Sequence, residues 1–329
     1  MERQALYYPY IRVPEDAWFT RVLLYWDGVG TILPQSLAGS ASVVGSYTST
    51  LIDAGLVQPV WPAEDILRID GFAERFFAII DADDEIRRMG ERPVEHGAAG
   101  QIHEEKFTDE IFRGLHERGL GERSEDSSWW KIESRTAGIY MAYLAASLGA
   151  LEHLRMDPVS DSTALFVPAP ESAVAHAEAL RLGLLEAVLP GPAQPVSVEE
   201  VVSFKEAHAD ELTAFRTVIE SELMRIAVID DEEARTREKS LTEDRLRQQV
   251  DEIAAEMHRR RWPKVVFGTI AGLASIAATA TAAVGTGGVA LAFAAPGVIS
   301  GAYAAVEGFP RRQTSTSPLA FAALAEEFR

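Results

Sequence analysis

Along the front of the chain, short apolar runs that close on proline alternate with stretches whose apolar residues recur every three or four positions. The runs 5–10, 31–34, 56–59, 164–168 and 184–190 have strand length, and 64–80 and 173–182 have helical spacing. Pro14, Glu15 and Asp16 open a further helix carrying Trp18, Val22, Tyr25 and Trp26 on one side. Alternation of this kind predicts βα units around a small, partly parallel sheet.

From His103 to Ala150 the texture changes. Phe107, Ile111 and Leu115 form a helical stripe, Gly119-Leu120-Gly121 ends it, and 128–132 reads as the return strand of a hairpin. A second helix with Tyr140, Met141, Leu144 and Leu148 follows, so the unit is laid out like a winged helix; in an acidic chain it reads as a packing unit.

Ser197 and Glu200 have capping-box spacing, which predicts the start of a long helix. Val201, Phe204, His208, Leu212, Phe215, Ile219, Leu223 and Ile226 continue it as one apolar stripe. After the acidic break at 230–233, Leu246, Val250, Ile253 and Met257 repeat the rhythm. His208 lies on that packing face and reads as a core or interface residue. The tail, 318–328, reads as a short amphipathic helix that docks on the body.

Residues 265–306 then carry no charged side chain, and Gly285, Gly287 and Gly288 divide them into two halves. At ~1.5 Å per residue each half would cross most of a ~30 Å hydrocarbon core, which predicts a helical hairpin. Gly268 with Gly272, and Gly297 with Gly301, place small residues one turn apart for close helix pairing; Phe267 lies in the first half. Arg259, Arg260, Arg261, Trp262 and Lys264 precede the run and Arg311 and Arg312 follow it, the pattern of two ends kept in the cytoplasm. The opposing reading is a helical pair buried in a soluble core, because the run is rich in Ala and Gly and Pro296 interrupts its second half.

The expected fold class is α+β. Residues 1–196 form a mixed α/β body that includes the helix and hairpin unit at about 103–150. A long helical stalk, 197–262, an apolar hairpin, 263–309, and a C-terminal amphipathic helix, 310–329, follow. With 329 residues and 47% apolar content the chain is long enough for a proper core. Its formal charge is −19, and after Val306 acids and bases balance, so the excess belongs to the part before the hairpin. So acidic a body repels phosphate backbones, and no nucleic-acid partner is expected. The absence of cysteine excludes disulfides, a thiol nucleophile and thiolate metal sites. The N-terminal residues lack the apolar core of a signal peptide, which points to a cytoplasmic body.

Chemistry is sparse. His103-Glu104-Glu105-Lys106-Phe107 begins like a zinc-protease helix, but Phe107 stands where the second histidine is needed. Gly28 and Gly30 lack the third glycine of a dinucleotide cradle. The acidic run 81–85 lacks the turn glycine of a calcium loop and reads as a solvated helix end. No metal and no cofactor are expected. Tyr7 and Tyr8, at the end of the first strand, sit where α/β folds often bind ligands. With His103 and Lys106 from the His/Glu-rich neighbourhood, they are the candidate ligand-binding residues.

The blocks Leu6-Tyr7-Tyr8-Pro9, Trp18, Leu24-Tyr25-Trp26-Asp27 and Ile32-x-Pro34 resemble the opening of an uncharacterised bacterial family, domain of unknown function 6236. His103 to Lys106, Leu115 with Gly119-Leu120, Trp130-x-Ile132, Tyr140-Met141 and Leu144-Ala145 resemble later blocks of that family. So do Phe204-Lys205-x-x-His208-x-x-Glu211 and Phe215-Arg216, with Lys205 where the family pattern implies an arginine. The resemblance implies an α/β front and a long helical back, and brings no activity. The layout itself leads to the expectation of a non-enzymatic protein. Its cytoplasmic body and stalk would carry a hairpin into the cytoplasmic membrane, with lipid and a second copy of the chain as partners and a defence-type, membrane-perturbing role. The alternative is a soluble α/β enzyme or ligand-binding protein with the hairpin buried in its own core or in an oligomer.

Overall fold

The computed structural model describes residues 3–90, 99–125, 128–161, 173–189, 196–259 and 317–325. Strand β1 (Gln4–Tyr7) leads into α1 (Ala17–Tyr25), whose N-cap Asp16 accepts a hydrogen bond from the Phe19 amide at 2.9 Å. Strand β2 (Gly28–Ile32) is followed by two short helices, α2 (Ala41–Val44) and α3 (Ser46–Asp53), and then by β3 (Val57–Val60). Next come α4 (Pro62–Ile66), α5 (Phe72–Ala82) and α6 (Asp84–Gly90). The expected helix over 64–80 is thus two helices, parted at Gly71, whose φ of 63° is left-handed.

The middle unit consists of β4 (Ala99–His103), a 3-10 turn (Glu104–Lys106), α7 (Asp109–Glu117), β5 (Gly121–Arg123), β6 (Trp129–Glu133) and α8 (Ser134–Gly149). Its strands form an antiparallel sheet of order β4-β6-β5. Strand β7 (Met156–Val159) then returns to the first sheet, whose order is β3-β2-β1-β7 with all pairs parallel. Each outer strand contains a proline, Pro59 in β3 and Pro158 in β7, which an edge tolerates because half its backbone groups have no ladder partner.

Helices α9 (Ala173–Val188), α10 (Val198–Ala207), α11 (Ala209–Ala227) and α12 (Glu232–Arg259) follow, and the helix Ala320–Ala325 ends the description. Residues 184–188, expected as a strand, are the last turns of α9: Leu180, Leu184, Leu185 and Val188 are all buried, the spacing of one helical face. The capping box forms, with Ser197 Oγ accepting from the Glu200 amide at 3.2 Å and Glu200 Oε2 from the Ser197 amide at 2.9 Å. The long helix it begins breaks at His208 (φ −123°, ψ 32°), and the apolar stripe carries on into α11.

Side chains alternate across the parallel sheet, so it separates two cores. Ala5, Tyr7, Val29, Val57 and Val159 face one core with α1, α9, α10 and α11. Leu6, Tyr8, Ile32, Val60 and Met156 face the other with α4, α5, α7 and α8. The C-terminal helix enters the first core: Phe321 is fully buried, with its ring 5.2 Å from Phe204 and 5.7 Å from Phe215. Ala320, Ala322, Ala323 and Ala325 are buried as well and Leu324 is partly buried, so these turns dock on the body; residues 326–329 lie outside the described residues.

Residues 260–316 lie outside the described residues, and with them the hairpin positions Phe267, Gly268, Gly272, Gly285, Gly287, Gly288, Pro296, Gly297 and Gly301. The flanking Arg260, Arg261, Trp262, Lys264, Arg311 and Arg312 lie there too, while Arg259 closes α12. Among the described residues no helix is long and apolar enough to cross a membrane.

Candidate functional site

The order β3-β2-β1-β7 reverses direction at β1, so the carboxyl ends of β1 and β7 form the switch point where open α/β sheets bind ligands. Tyr7 is the last residue of β1. Its hydroxyl donates to Asp161 Oδ1 at 3.3 Å, and its ring lies 6.0 Å from Trp18 and 6.2 Å from Phe19. Burial, followed by the charge of Asp161, pushes the phenol well above its usual range, so Tyr7 stays a neutral donor. Tyr8 points to the opposite core and hydrogen-bonds through its amide to the Val159 carbonyl at 3.1 Å.

His103 and Lys106 reach the same edge of the sheet from the 3-10 turn. Glu105 accepts hydrogen bonds from the backbone amides of Gln35 (2.5 Å) and Ser36 (3.2 Å), in the loop that leaves β2. Burial acts to raise the Glu105 pKa, but these donors outweigh it and hold the carboxyl below its usual range. His103 Nδ1 accepts from the Glu105 amide at 3.3 Å, and its ring stands edge-on to Trp129 at 5.1 Å. The Lys106 carbonyl accepts from the Tyr140 hydroxyl.

Lys106 itself is only 4% exposed. Among the described residues none gives its ammonium a hydrogen bond or a counter-ion, and burial lowers its pKa to about 7. A lysine in this state exchanges its proton near neutral pH and carries a nucleophilic lone pair. The structure therefore places Tyr8 in one core and Tyr7 in the other, and Glu105 ties the turn of His103 and Lys106 to the loop that leaves β2.

The opposite edge holds a charged network that the pattern of the sequence does not reveal. Glu220 on α11 receives Arg181 of α9 at 2.7 and 3.0 Å, the Tyr25 hydroxyl at 2.8 Å and Arg3 at 2.5 Å. Asp157 of β7 accepts from the Trp26 indole at 3.3 Å and pairs with Arg3 at 3.5 Å. Lys205 of α10 donates to the carbonyls of Leu23 (2.8 Å) and Asp27 (3.4 Å), and also to that of Trp26, closing the C-terminal end of α1. Burial lowers the Lys205 pKa to about 8. Residues 24–27 and 204–216, far apart in the chain, are thus two halves of one joint. Every charge in it faces a partner, which is the arrangement of a structural clamp.

The acidic run 81–85 is likewise taken up by cations. Arg118 binds Asp81 through two bonds of 2.8 Å, and Arg135 pairs with Asp83 at 2.8 Å and Glu85 at 2.5 Å. No group of three or more His, Asp or Glu side chains among the described residues is placed to hold a metal ion.

Residues 127–326 match a family model described as "Family of unknown function (DUF6236)". The matched stretch takes in β6, α8, β7, all the helices of the back, the uncharged run and the C-terminal helix, and begins after the opening blocks around Tyr7 and Trp26. No curated protein and no solved structure matches the chain.

Proposed function

Because the chain belongs to this family of unknown function, whose name brings no activity, we propose a function from the layout of the chain itself: a non-enzymatic, membrane-associated protein. An acidic cytoplasmic body and its helical back carry residues 265–306 as a hairpin that inserts into the cytoplasmic membrane. Copies of the chain associate through the back helices, and the role is that of a membrane-perturbing, defence-type effector.

One observation supports the reading: α12 ends at Arg259, and Leu319 is buried in the core of the same body. A segment tethered at both ends to one body can enter a bilayer only as a hairpin that exits on the side it entered. The uncharged run has the length for two crossings, and arginines on both flanks, with Lys264 on the first, favour keeping both ends in the cytoplasm.

Flotation of the purified full chain with liposomes containing anionic lipid tests this, beside a chain lacking residues 265–306. The full chain is expected to float and to release an entrapped dye, and the shortened chain to do neither. Equal behaviour of the two overturns the proposal.

A second reading, a ligand-binding or enzymatic α/β body, is favoured by Lys106, a buried amine without a partner among the described residues at the ligand-binding edge of the sheet.

A further inference from the structure

We propose that His208 is a proton-operated release for the C-terminal helix: taking up a proton loosens the junction of α10 and α11 and with it the seat of Phe321. The inference stands apart from the membrane reading above and supplies that reading with a trigger.

His208 occupies the break between two helices. Its amide donates to the Phe204 carbonyl at 3.1 Å, which closes α10, and its carbonyl accepts from the Leu212 amide at 2.9 Å, which opens α11. A serine or aspartate at this position would cap the free amides of α11, whereas the imidazole makes no cap bond. The ring is buried instead, 4.8 Å from that of Phe204, and its Nδ1 has no partner among the described residues. Phe204 in turn meets Phe321 at 5.2 Å. A single aromatic ring therefore connects the imidazole to the C-terminal helix.

The break also lies level with the end of α12. Glu222 of α11 pairs with Arg245 of α12 at 2.7 Å, and Arg225 with Glu238, so the two helices run antiparallel. From the first of these pairs, His208 lies fourteen residues back along α11 and Arg259 fourteen residues on along α12, about 21 Å in each case. The C-terminal helix packs on both α11 and α12. Arg259 and the C-terminal helix, which flank residues 260–316, thus both stand at the end of the helical back that holds His208.

Electrostatics set the direction of the response. An imidazolium donates from both ring nitrogens, and a buried donor without an acceptor destabilises the fold that encloses it. Glu211, on the first turn of α11, is the charged group that favours the proton. Lys205 of α10 is bonded to the carbonyls at the end of α1, the C-terminal helix Ala320–Ala325 has no charged side chain, and α12 meets this core through Leu246 and Val250. The last carbonyls of α10 favour a cation and the first amides of α11 oppose it, so the two helix ends offset each other. Burial outweighs Glu211 and holds the His208 pKa below its usual value. A base whose folded pKa lies below its unfolded one costs the fold stability as pH drops below the unfolded pKa, about 6.5. Here that cost falls on the joint in which the ring stands.

Amide hydrogen exchange of the full-length protein at pH 7.5 and pH 5.0, expressed as protection against the intrinsic rate, reads the joint directly and without lipid. Residues 201–212 and 319–325 are expected to lose protection at least ~3-fold at pH 5.0, while β1 and β2 lose none. Glu220 takes no part at that pH, because its carboxyl titrates at about 2. The chain has seven histidines, and His208→Leu and His208→Gln separate this one from the rest: the loss should vanish in both. A loss that persists in both variants, a loss spread evenly over the sheet, or no loss at all overturns the proposal. Imidazole NMR of the unaltered protein needs no variant. A His208 that titrates at or above about 6.5 would overturn the proposal too, since its proton would then cost the fold nothing. The membrane reading survives any of these results, because it is tested by flotation.

Discussion

Arg216 on α11 grips Asp27, at the entrance of β2, through two parallel bonds: Nη1 lies 3.2 Å from Oδ2 and Nη2 lies 3.0 Å from Oδ1. The same guanidinium donates from Nε to the Tyr25 carbonyl at 2.7 Å. One side chain thereby joins the helical back to the last turn of α1 and to the sheet. Lysine lacks the planar fork needed for both tasks.

Arg216→Ala should therefore cost about 3 kcal/mol, because Asp27 and the Tyr25 carbonyl would be left half-buried with fewer partners. Arg216→Lys should recover only part of the loss. Urea unfolding followed by far-UV circular dichroism measures both; a loss below about 1 kcal/mol for Ala would show that the joint adds little.

Glu220 gives the network a pH signature. Burial acts to raise its pKa, but the bonds from Arg181, Arg3 and Tyr25 outweigh that and bring it down from 4.5 to about 2. A carboxyl whose folded pKa lies below its unfolded value contributes fully above the unfolded pKa and loses that contribution as pH falls through the folded one. Stability should drop by about 3 kcal/mol between pH 5 and pH 2 on this account. Glu220→Gln should be less stable at pH 7, because Arg181 loses its counter-ion, and should show a shallower slope below pH 4.5. Parallel slopes for the two proteins would remove Glu220 from the acid response.

Much of the architecture was legible wherever local chemistry announces itself. Asp16 before α1 and Ser197 with Glu200 at α10 are caps that the sequence displays. Strand β7 was not legible, because Met156-Asp157-Pro158-Val159 is short, holds a proline and an acid, and becomes a strand only by pairing with β1. Strand β4, with Ala99, Gly100 and Gln101, likewise owes its state to β6. The break at His208 was hidden because the apolar stripe runs through it undisturbed. At the site, Tyr7 and Tyr8 followed from strand position, and Lys106 drew notice only as part of a charged run. Its flanking glutamates suggest a solvated face, and nothing local signals that a loop from β2 and the Tyr140 hydroxyl enclose the turn.

Lys106 should cost the fold stability. Its folded pKa, about 7, lies below its unfolded value of 10.5, so between these pH values the unfolded chain binds more protons and stability rises with pH. Lys106→Met keeps the length of the side chain and removes the charge. It is expected to stabilise the protein by roughly 2–4 kcal/mol at pH 7 and to flatten the rise between pH 7 and 10. Paired urea titrations at pH 7 and pH 9.5 measure this. A destabilised methionine variant would mean that the ammonium has a stabilising role.

Phe321 tests whether the chain beyond residue 316 belongs to the body. Its ring is fully buried between Phe204 of α10 and Phe215 of α11, stacked on the second at an interplanar angle of 26°. Removing it opens a cavity in a core whose other walls are fixed by the sheet and by α1, so collapse around the gap is limited. Phe321→Ala should cost about 3–5 kcal/mol. If the helix instead held on only weakly, truncation there would leave the unfolding midpoint of the body unchanged while trypsin cleaved near Arg311 and Arg312. The cavity account requires a fall in the unfolding midpoint of the entire body, read by tryptophan fluorescence from Trp18 and Trp26, which lie in or against the same core.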